Sequence, residues 1–161
     1  MAADDGWIEV GERAPAFTLT SDQGEKVRLA DLKGSPLVLY FYPKDDTPGC
    51  TREACAFRDA SKELKKLGAT VLGVSPDDEA SHAAFRDKFK LNFPLLADPG
   101  HKVAEKYGAW REKTLYGKKS MGIQRSTYVI DSAGKVAKLW RRVSVDGHDA
   151  KVLEALRALE G

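Results

Sequence analysis

Residues 37–59 change from an apolar strand to a helix within a few positions, and this change limits the folds open to the chain. Residues 37–42 form an uninterrupted apolar run, which is typical of a strand buried on both faces of a parallel sheet. A proline and an acidic pair follow, and then Thr47 and Pro48 match the preferences of a helix N-cap and of the first helical position. The Thr47 hydroxyl is expected to accept a hydrogen bond from a first-turn amide. The segment therefore predicts a buried strand that passes straight into a helix.

The alternation of strands and helices continues along the chain. A second apolar run covers residues 70–75, and apolar residues at helical spacing extend the first helix to about Leu67, where Gly68 ends it. The other predicted strands are residues 16–20, 26–29, 95–97, 126–130 and 136–142, and the other predicted helices are residues 78–90, 102–107 and 149–159. Residues 111–122 lack periodicity and are predicted to form a mobile loop. Together these elements predict a three-layer α/β fold.

Length and composition indicate one globular domain. The chain has 161 residues, of which 42% are hydrophobic and 31% are charged, as is ordinary for a folded domain with a full core. We therefore expect a single domain over residues 1–161. Residues 1–10 are expected to be a loose leader, with Trp7, Ile8 and Val10 as the residues that would pack on the domain.

Charge and hydropathy exclude several classes of function. A net charge of +2 is too small to indicate a nucleic acid or an anionic membrane as partner. No apolar run approaches the roughly 20 residues of a membrane span, and the acidic N-terminus lacks the basic and apolar regions of a signal peptide. We therefore expect a cytoplasmic protein. In that reducing compartment its two cysteines are expected to be catalytic rather than structural.

Cys50 falls in the first turn of the predicted helix. The first N–H groups of a helix lack intrahelical partners and carry partial positive charge, so a thiolate at this position is stabilised relative to a thiol. Gly49 has no side chain that would shield Cys50. The alternative is that Cys50 is a small buried hydrophobe, as many free cysteines are. The aligned strand, proline, cap and glycine favour a reactive thiolate.

The second cysteine, Cys55, has four residues between it and Cys50, which differs from the C-x-x-C spacing of thioredoxin-type motifs. On an intact helix the two Cα atoms would lie about 8.6 Å apart. A disulfide requires less than about 7 Å between Cα atoms. Either the two thiols never meet, or the start of the helix unwinds.

These residues resemble the active site of the peroxiredoxins. The signature of that family is a proline followed by a threonine, two further residues and the reactive cysteine, and it matches Pro43, Thr47 and Cys50. The family also uses an arginine on a later strand, and Arg125 stands at the start of such a strand. The spacing of Cys50 to Cys55 and the segment 115–125 are similar to the bacterioferritin comigratory protein, or peroxiredoxin Q, subgroup. The resemblance extends from about Gly11 to the C-terminal helix.

The resemblance implies a thioredoxin-like fold, with a central mixed β-sheet flanked by helices and an N-terminal β-hairpin. It implies a thiol-dependent peroxidase for hydrogen peroxide and organic hydroperoxides. Cys50 would be the peroxidatic residue and would become a sulfenic acid. Cys55 would resolve that acid as an intramolecular disulfide, and thioredoxin would reduce the disulfide. A monomer without cofactor or metal is expected.

The resemblance also implies roles for the residues around Cys50. Thr47 would hold its hydroxyl toward the thiolate, and Pro43 would give apolar cover. Arg125 would stabilise the thiolate and bind the peroxide oxygens through its planar fork of donors. A surface ion pair is the alternative for Arg125. Asp45 and Asp46 are expected to be exposed turn residues.

Two other functions remain open from the residues. One is a thiol–disulfide oxidoreductase on the same fold, although its usual C-x-x-C motif is missing. The other is a non-enzymatic redox sensor. The histidines form no spaced set with the cysteines, so no zinc site is expected at His82, His101 or His148.

Overall fold

The computed structural model describes residues 6–160, which fold into an α/β structure built on one large sheet. Residues 1–5 of the predicted leader lie outside the described residues. The strands are β1 (Thr18–Ser21), β2 (Lys26–Arg28), β3 (Leu37–Phe41), β4 (Thr70–Ser75), β5 (Leu95–Ala97), β6 (Trp110–Leu115), β7 (Lys118–Ile123), β8 (Ser126–Ile130) and β9 (Val136–Trp140). The α-helices are α1 (Pro48–Asp59), α2 (Ser61–Lys66), α3 (Glu79–Phe89), α4 (Lys102–Tyr107) and α5 (His148–Glu160), and a 3-10 turn covers Leu29–Leu32.

The large sheet has seven strands in the order β2-β1-β5-β4-β3-β8-β9. Strand β3 pairs parallel with β4, and β4 pairs parallel with β5, whereas the other neighbours are antiparallel. The predicted mixed sheet with an N-terminal hairpin, β1–β2, is therefore confirmed. All five residues of β3 are buried, as their continuous apolar sequence predicts.

Side chains alternate across β3 and divide the interior into two layers. Leu39 and Phe41 point into one cluster, which also holds Tyr107 of α4. Val38 and Tyr40 point into the other cluster, which holds Cys50 together with apolar residues of α1, α2, α3 and α5. The reactive-cysteine candidate thus lies on the face of the sheet that most of the helices cover.

The predicted first helix is divided near Ala60 into α1 and α2. Ala60 has φ −86° and ψ 4°, which departs from helical geometry, although hydrogen bonds from Ala60 to Ala56 and from Leu64 to Ala60 continue across the break. Leu64 remains buried beyond the break, and Gly68 ends α2 with a φ of 70°, a left-handed conformation that glycine adopts without strain. The apolar stripe was predicted correctly, but the single continuous helix was wrong.

Residues 110–123 form a two-stranded hairpin, so the predicted mobile loop is wrong. Strands β6 and β7 pair in register from Trp110 and Ile123 to Leu115 and Lys118. The turn residues Tyr116 and Gly117 both have positive φ, as a two-residue hairpin turn of the right twist requires. Most residues of this hairpin are exposed, so it carries no alternation of apolar and polar residues that could reveal it in the sequence.

The start of the described chain packs against the fold. Trp7 and Ile8 are each 5% exposed and belong to the core cluster around Leu39, whereas Val10 is exposed. A Cβ atom on Gly108 would lie 2.7 Å from the Trp7 Cα atom, so glycine is needed for this close approach. The expected packing of Trp7 and Ile8 on the domain is confirmed, whereas the expected packing of Val10 is wrong. Among the described residues no helix combines the length and apolarity needed to cross a membrane.

Candidate active site

Cys50 is the third residue of α1 and is buried, with 1% of its surface exposed. Strand β3 ends at Phe41, and the loop of residues 42–47 carries the chain from there to the helix. Thr47 has the extended backbone of an N-cap residue, and Pro48 occupies the first helical position. The strand-to-helix transition therefore delivers Cys50 to the helix N-terminus, where the backbone dipoles favour a negative charge.

The Thr47 hydroxyl does not cap the helix. It donates a hydrogen bond to the carbonyl of Lys44 at 2.9 Å and so closes the preceding loop. The predicted hydrogen bond from a first-turn amide to Thr47 is therefore wrong. The side chain of Thr47 accepts no hydrogen bond from the first-turn amides of α1. Their partial positive charge can therefore stabilise an anion at the start of the helix.

Arg125, which immediately precedes β8 and is 75 residues from Cys50 in the sequence, contacts Cys50 in the folded protein. Its Nη2 atom lies 3.2 Å from the Cys50 Sγ atom, and its Nη1 atom lies 2.8 Å from Oε1 of Glu53. The pairing of β8 with β3 places Ser126 opposite Phe41, which brings Arg125 to the end of β3 and hence to the start of α1. Its backbone carbonyl accepts a hydrogen bond from Val143 N–H at 3.1 Å, which fixes the chain at this point.

Glu53 was missed from the sequence. It lies one turn beyond Cys50 on α1 and is 2% exposed. Burial raises the pKa of Glu53 from 4.5 to about 7, and the charge and hydrogen bond of Arg125 act in the opposite direction. Its Oε2 atom is buried without a hydrogen-bond partner among residues 6–160. An acidic residue at a position where the apolar stripe of α1 should be was the signal that could have identified it.

Arg125 is thus an ion-pair residue, but not the surface pair considered as its alternative. The guanidinium lies between the thiol of Cys50 and the buried carboxylate of Glu53, so it is held by both. Gly49 makes room for it, because a Cβ atom at this position would lie 3.0 Å from Nη2 of Arg125. The glycine before Cys50 therefore admits the guanidinium, in addition to leaving the thiol uncovered.

Two further groups face this site. The Tyr40 hydroxyl is buried without a hydrogen-bond partner in the described chain, and its pKa is raised well above 10 by burial and by the negative charges of Glu53 and Cys50. Lys113 of the β6–β7 hairpin is half-buried. Burial and the charge of Arg125 lower the pKa of Lys113, whereas Cys50 acts to raise it. The sequence predicts a loop at residues 111–122, and a loop gives no strand register that would place Lys113 beside Cys50.

Pro43 and Cys55 lie at the edges of the site. Pro43 is exposed at the start of the loop that leads to α1, so it does not belong to the buried part. Cys55 is half-buried on the same continuous α1 as Cys50, and both thiols are free. Since their Cα atoms are about 8.6 Å apart on an intact helix, this conformation does not allow a disulfide between them.

The acidic pair before the helix differs from its prediction as an exposed turn. Asp46 is exposed, has a φ of 58° and forms an ion pair with Lys88. Asp45, in contrast, is only 7% exposed and contacts His82 of α3. The other two histidines lie elsewhere, since His148 contacts Thr127 and His101 stacks on Trp110.

Known proteins are similar to this chain in both sequence and fold. Residues 10–139 match the AhpC/TSA family. The chain is 51% identical to a putative peroxiredoxin bcp of Coxiella burnetii over 149 residues, which cover 92% of this chain and 99% of the relative. It is 49% identical to peroxiredoxin Bcp of Bacillus subtilis over 150 residues, covering 93% of this chain and 96% of the relative.

A solved structure of the bacterioferritin comigratory protein of Xanthomonas campestris superposes with a TM-score of 0.89 and 38% identity. The match covers 95% of this chain and 100% of that one. The thioredoxin-like fold expected from the resemblance is confirmed by such neighbours. The chain belongs to the AhpC/TSA family as a peroxiredoxin of the Bcp/PrxQ type, and it is a thiol-dependent peroxidase.

Proposed function

We propose that Cys50 is the peroxidatic residue of this peroxidase. The observation that carries the proposal is the 3.2 Å contact between Nη2 of Arg125 and the Cys50 Sγ atom at the N-terminus of α1. A fixed positive charge and the helix dipole both stabilise a thiolate at that point. Cys55 lies further along the helix, where the dipole no longer acts.

The Cys50 thiolate attacks one oxygen of the hydroperoxide R–O–OH. An S–O bond forms while the O–O bond breaks, sulfur is oxidised to a sulfenic acid, and the departing RO⁻ takes a proton to leave as ROH. Negative charge moves from sulfur to the leaving oxygen during this step. Arg125 can bind both atoms, because it presents several donors in one plane and Glu53 holds it in orientation.

Thr47 and Pro43 contribute to the loop that borders the thiol. The Thr47 hydroxyl donates its hydrogen bond to the Lys44 carbonyl. The lone pairs of its oxygen can therefore accept a hydrogen bond from the incoming peroxide. Pro43 has no N–H group that would compete for the peroxide oxygens. We assign Thr47 to binding of the substrate and Pro43 to the outer wall of the entrance.

Cys55 resolves the oxidised form. Its thiol attacks the sulfur of the Cys50 sulfenic acid, an S–S bond forms, and the hydroxyl leaves as water. This step requires the first turn and a half of α1 to unwind, because the intact helix keeps the two Cα atoms about 8.6 Å apart. The helix beyond this segment is anchored by Phe57, whose ring packs at a tilt against Tyr40 with 5.0 Å between the ring centres.

A dithiol protein then returns the disulfide to two thiols and is itself oxidised to a disulfide. We propose thioredoxin as this reductant, and both hydrogen peroxide and organic hydroperoxides as substrates. The Xanthomonas campestris relative, whose solved structures concern its alkyl peroxide reduction activity, supports the organic class. We further propose a monomer of one domain in the cytoplasm, where dithiol reductants are maintained.

A peroxide pulse followed by mass spectrometry tests the assignment of the two thiols. Stoichiometric hydrogen peroxide should convert the wild type to a form lighter by two hydrogen atoms. It should convert Cys55→Ser to a form with one added oxygen on Cys50, and it should leave Cys50→Ser unmodified. Oxidation of Cys50→Ser at the wild-type rate, with loss of oxidation in Cys55→Ser, would reverse the two roles.

Turnover distinguishes the proposed cycle from a redox sensor. With thioredoxin and its reductase, the wild type should consume many equivalents of peroxide, whereas a sensor would stop after a single oxidation. Turnover with dithiothreitol but not with thioredoxin would reject thioredoxin as reductant and leave the peroxidase intact. Light scattering of the reduced and oxidised forms tests the monomer.

A further inference from the structure

The loop that leads from β3 to α1 is attached to α3 by a buried carboxylate. Asp45 lies five residues before Cys50, and its Oδ1 atom accepts a hydrogen bond from the Tyr42 hydroxyl at 2.6 Å. Its Oδ2 atom accepts one from the Ser81 hydroxyl at 2.8 Å and lies 2.7 Å from Nδ1 of His82. Three side chains thus converge on one carboxylate.

His82 faces acceptors at both ring nitrogens. It is fully buried on α3, with Nε2 at 2.9 Å from the carbonyl of Leu96 and Nδ1 at 2.7 Å from the Asp45 carboxylate. A carbonyl can only accept, so Nε2 carries a proton. An ionised carboxylate can also only accept, so Nδ1 carries a proton too. The geometry therefore corresponds to an imidazolium ion bound to a carboxylate.

The surroundings of the ring support this charge state. Burial acts to lower the pKa of His82, but the hydrogen bond and charge of Asp45, together with the hydrogen bond to Leu96 and the charge of Asp77, outweigh burial and raise the pKa above 6.5. Among the described residues, the titratable groups facing the ring are Asp45 and Tyr42 from the β3–α1 loop and Asp77 from the loop before α3. Burial and nearby negative charge raise the pKa of Tyr42 well above 10, so it stays neutral.

Asp45, Asp77 and His82 have the composition of a cation site. Oxygen atoms of both carboxylates, however, already accept hydrogen bonds from protein donors. Ligand atoms of Asp45, Asp77 and His82 lie within 4.8 Å of one another. Oδ2 of Asp77 accepts hydrogen bonds from the Asp45 amide at 2.8 Å and from the Ser75 hydroxyl at 2.7 Å. In this arrangement a hydrogen bond joins Asp45 to His82.

These contacts determine the conformation of the loop in front of the reactive cysteine. Asp45 is bound to α3, its amide is bound to Asp77, and the next residue, Asp46, has a φ of 58° that is unusual for a residue other than glycine. The exposed ion pair of Asp46 with Lys88, at 2.7 Å, attaches the same loop to α3 again. The backbone that places Thr47 and Cys50 is held from α3 and not by the loop alone.

We propose that Asp45 and His82 are positioning residues for Cys50. The proton that they share holds the β3–α1 loop against α3, and its loss at alkaline pH releases the loop and slows the reaction of Cys50 with peroxide. This inference rests on the proposed role of Cys50. A neutral imidazole has one N–H group, so after deprotonation a lone pair must face either the Leu96 carbonyl or the Asp45 carboxylate in a buried site. One of the two hydrogen bonds is then lost, and the charge attraction between His82 and Asp45 is lost in either case.

The rate of Cys50 oxidation by hydrogen peroxide, measured in a single turnover between pH 5 and 10, tests the proposal. The wild-type rate should decline on the alkaline side by as much as about 10²-fold, which is the effect that a displacement of about 1 Å can have. In Asp45→Asn the amide can donate to Nδ1 of a neutral His82, so the alkaline decline should disappear. In His82→Gln the rate at neutral pH should be lower and its pH dependence on the alkaline side flat.

An NMR measurement gives a readout that does not depend on activity. The ¹⁵N shifts of His82 in the reduced wild type should show two protonated ring nitrogens at pH 7, and should change at the pH where the rate declines. In Asp45→Asn they should show a neutral ring at pH 7. A neutral His82 in the wild type at pH 7, or an unchanged alkaline decline in Asp45→Asn, would overturn the proposal.

Two control variants separate other titrating groups. Lys113→Arg keeps its charge across this pH range, so the decline should persist; its disappearance would assign the decline to Lys113 and overturn the proposal. His101→Gln removes a histidine that precedes α4 and stacks on Trp110, and it should leave the profile unchanged. If peroxide oxidises Cys50→Ser as fast as wild type, the proposed function fails, whereas the NMR result for His82 still stands.

Discussion

Replacing Glu53 by glutamine should stabilise the fold and slow the reaction. Burial raises the pKa of Glu53 from 4.5 to about 7, even with Arg125 beside it. At about 1.4 kcal/mol for each unit of pKa, this difference corresponds to about 3 kcal/mol of stability that the folded protein loses when Glu53 ionises. Glutamine has nearly the same shape, keeps an acceptor for Arg125 and carries no charge.

The stability gained by Glu53→Gln should depend on pH, because the carboxyl group ionises at different pH values in the folded and the unfolded chain. Below pH 4.5 the carboxyl is protonated in both the folded and the unfolded chain, so the charge has no effect on stability. As the pH rises from 4.5 to 7, the unfolded chain releases its proton first, and the folded protein becomes relatively less stable. The gain of Glu53→Gln should therefore be absent at pH 4 and complete above pH 7.

Thermal unfolding of the reduced proteins at pH 4 and pH 8 measures this gain. For a chain of this length about 3 kcal/mol corresponds to an increase in Tm of about 6–12 °C at pH 8. The second-order rate constant with peroxide should fall about tenfold, because a charge-assisted hydrogen bond that orients Arg125 is weakened. Glu63→Gln is the matched control, since Glu63 is exposed on α2 and its loss should change neither quantity.

One result would refute the reasoning directly. If Glu53→Gln were less stable than the wild type at pH 8 while Glu63→Gln was unaffected, the ionised Glu53 would be a stabilising partner of Arg125. The burial of its Oε2 atom, which has no hydrogen-bond partner among the described residues, would then not be costly. A faster reaction with peroxide in Glu53→Gln would separately contradict the orienting role of Glu53.

Three further predictions follow from the same site. Arg125→Lys keeps the charge but cannot make the planar contact, so its rate with peroxide should fall about 10²–10³-fold; unchanged kinetics would remove Arg125 from the mechanism. Gly49→Ala should slow the reaction without a comparable loss of Tm, because the new Cβ atom would lie 3.0 Å from Nη2 of Arg125; a rate equal to that of the wild type would show that the guanidinium can move aside. On oxidation, hydrogen exchange should accelerate for amides of about residues 50–56 but not 60–67, whereas equal protection in both states, with the disulfide confirmed by mass, would contradict local unwinding.

Several features of the fold could be predicted because local sequence determines them. The apolar run of β3 and the Thr47-Pro48 helix start depend on residues that are neighbours in the chain, and both are present in the structure. The β6–β7 hairpin was missed because pairing holds it, whereas most of its side chains are exposed and carry no periodicity. The break at Ala60 was missed because the apolar stripe continues across it.

The candidate site divides in the same way. The sequence by itself placed Cys50 at a helix N-terminus and showed that Cys55 is out of reach on an intact helix, because both conclusions depend only on helix geometry. Only the tertiary structure decided that Arg125 contacts Cys50, that Glu53 is buried beside it, and that Asp45 is joined to His82. Arg125 is 75 residues from Cys50 and 72 from Glu53, and His82 is 37 from Asp45. The charges of such residues interact strongly because folding removes them from water together, and no local pattern records which distant side chain will share that burial.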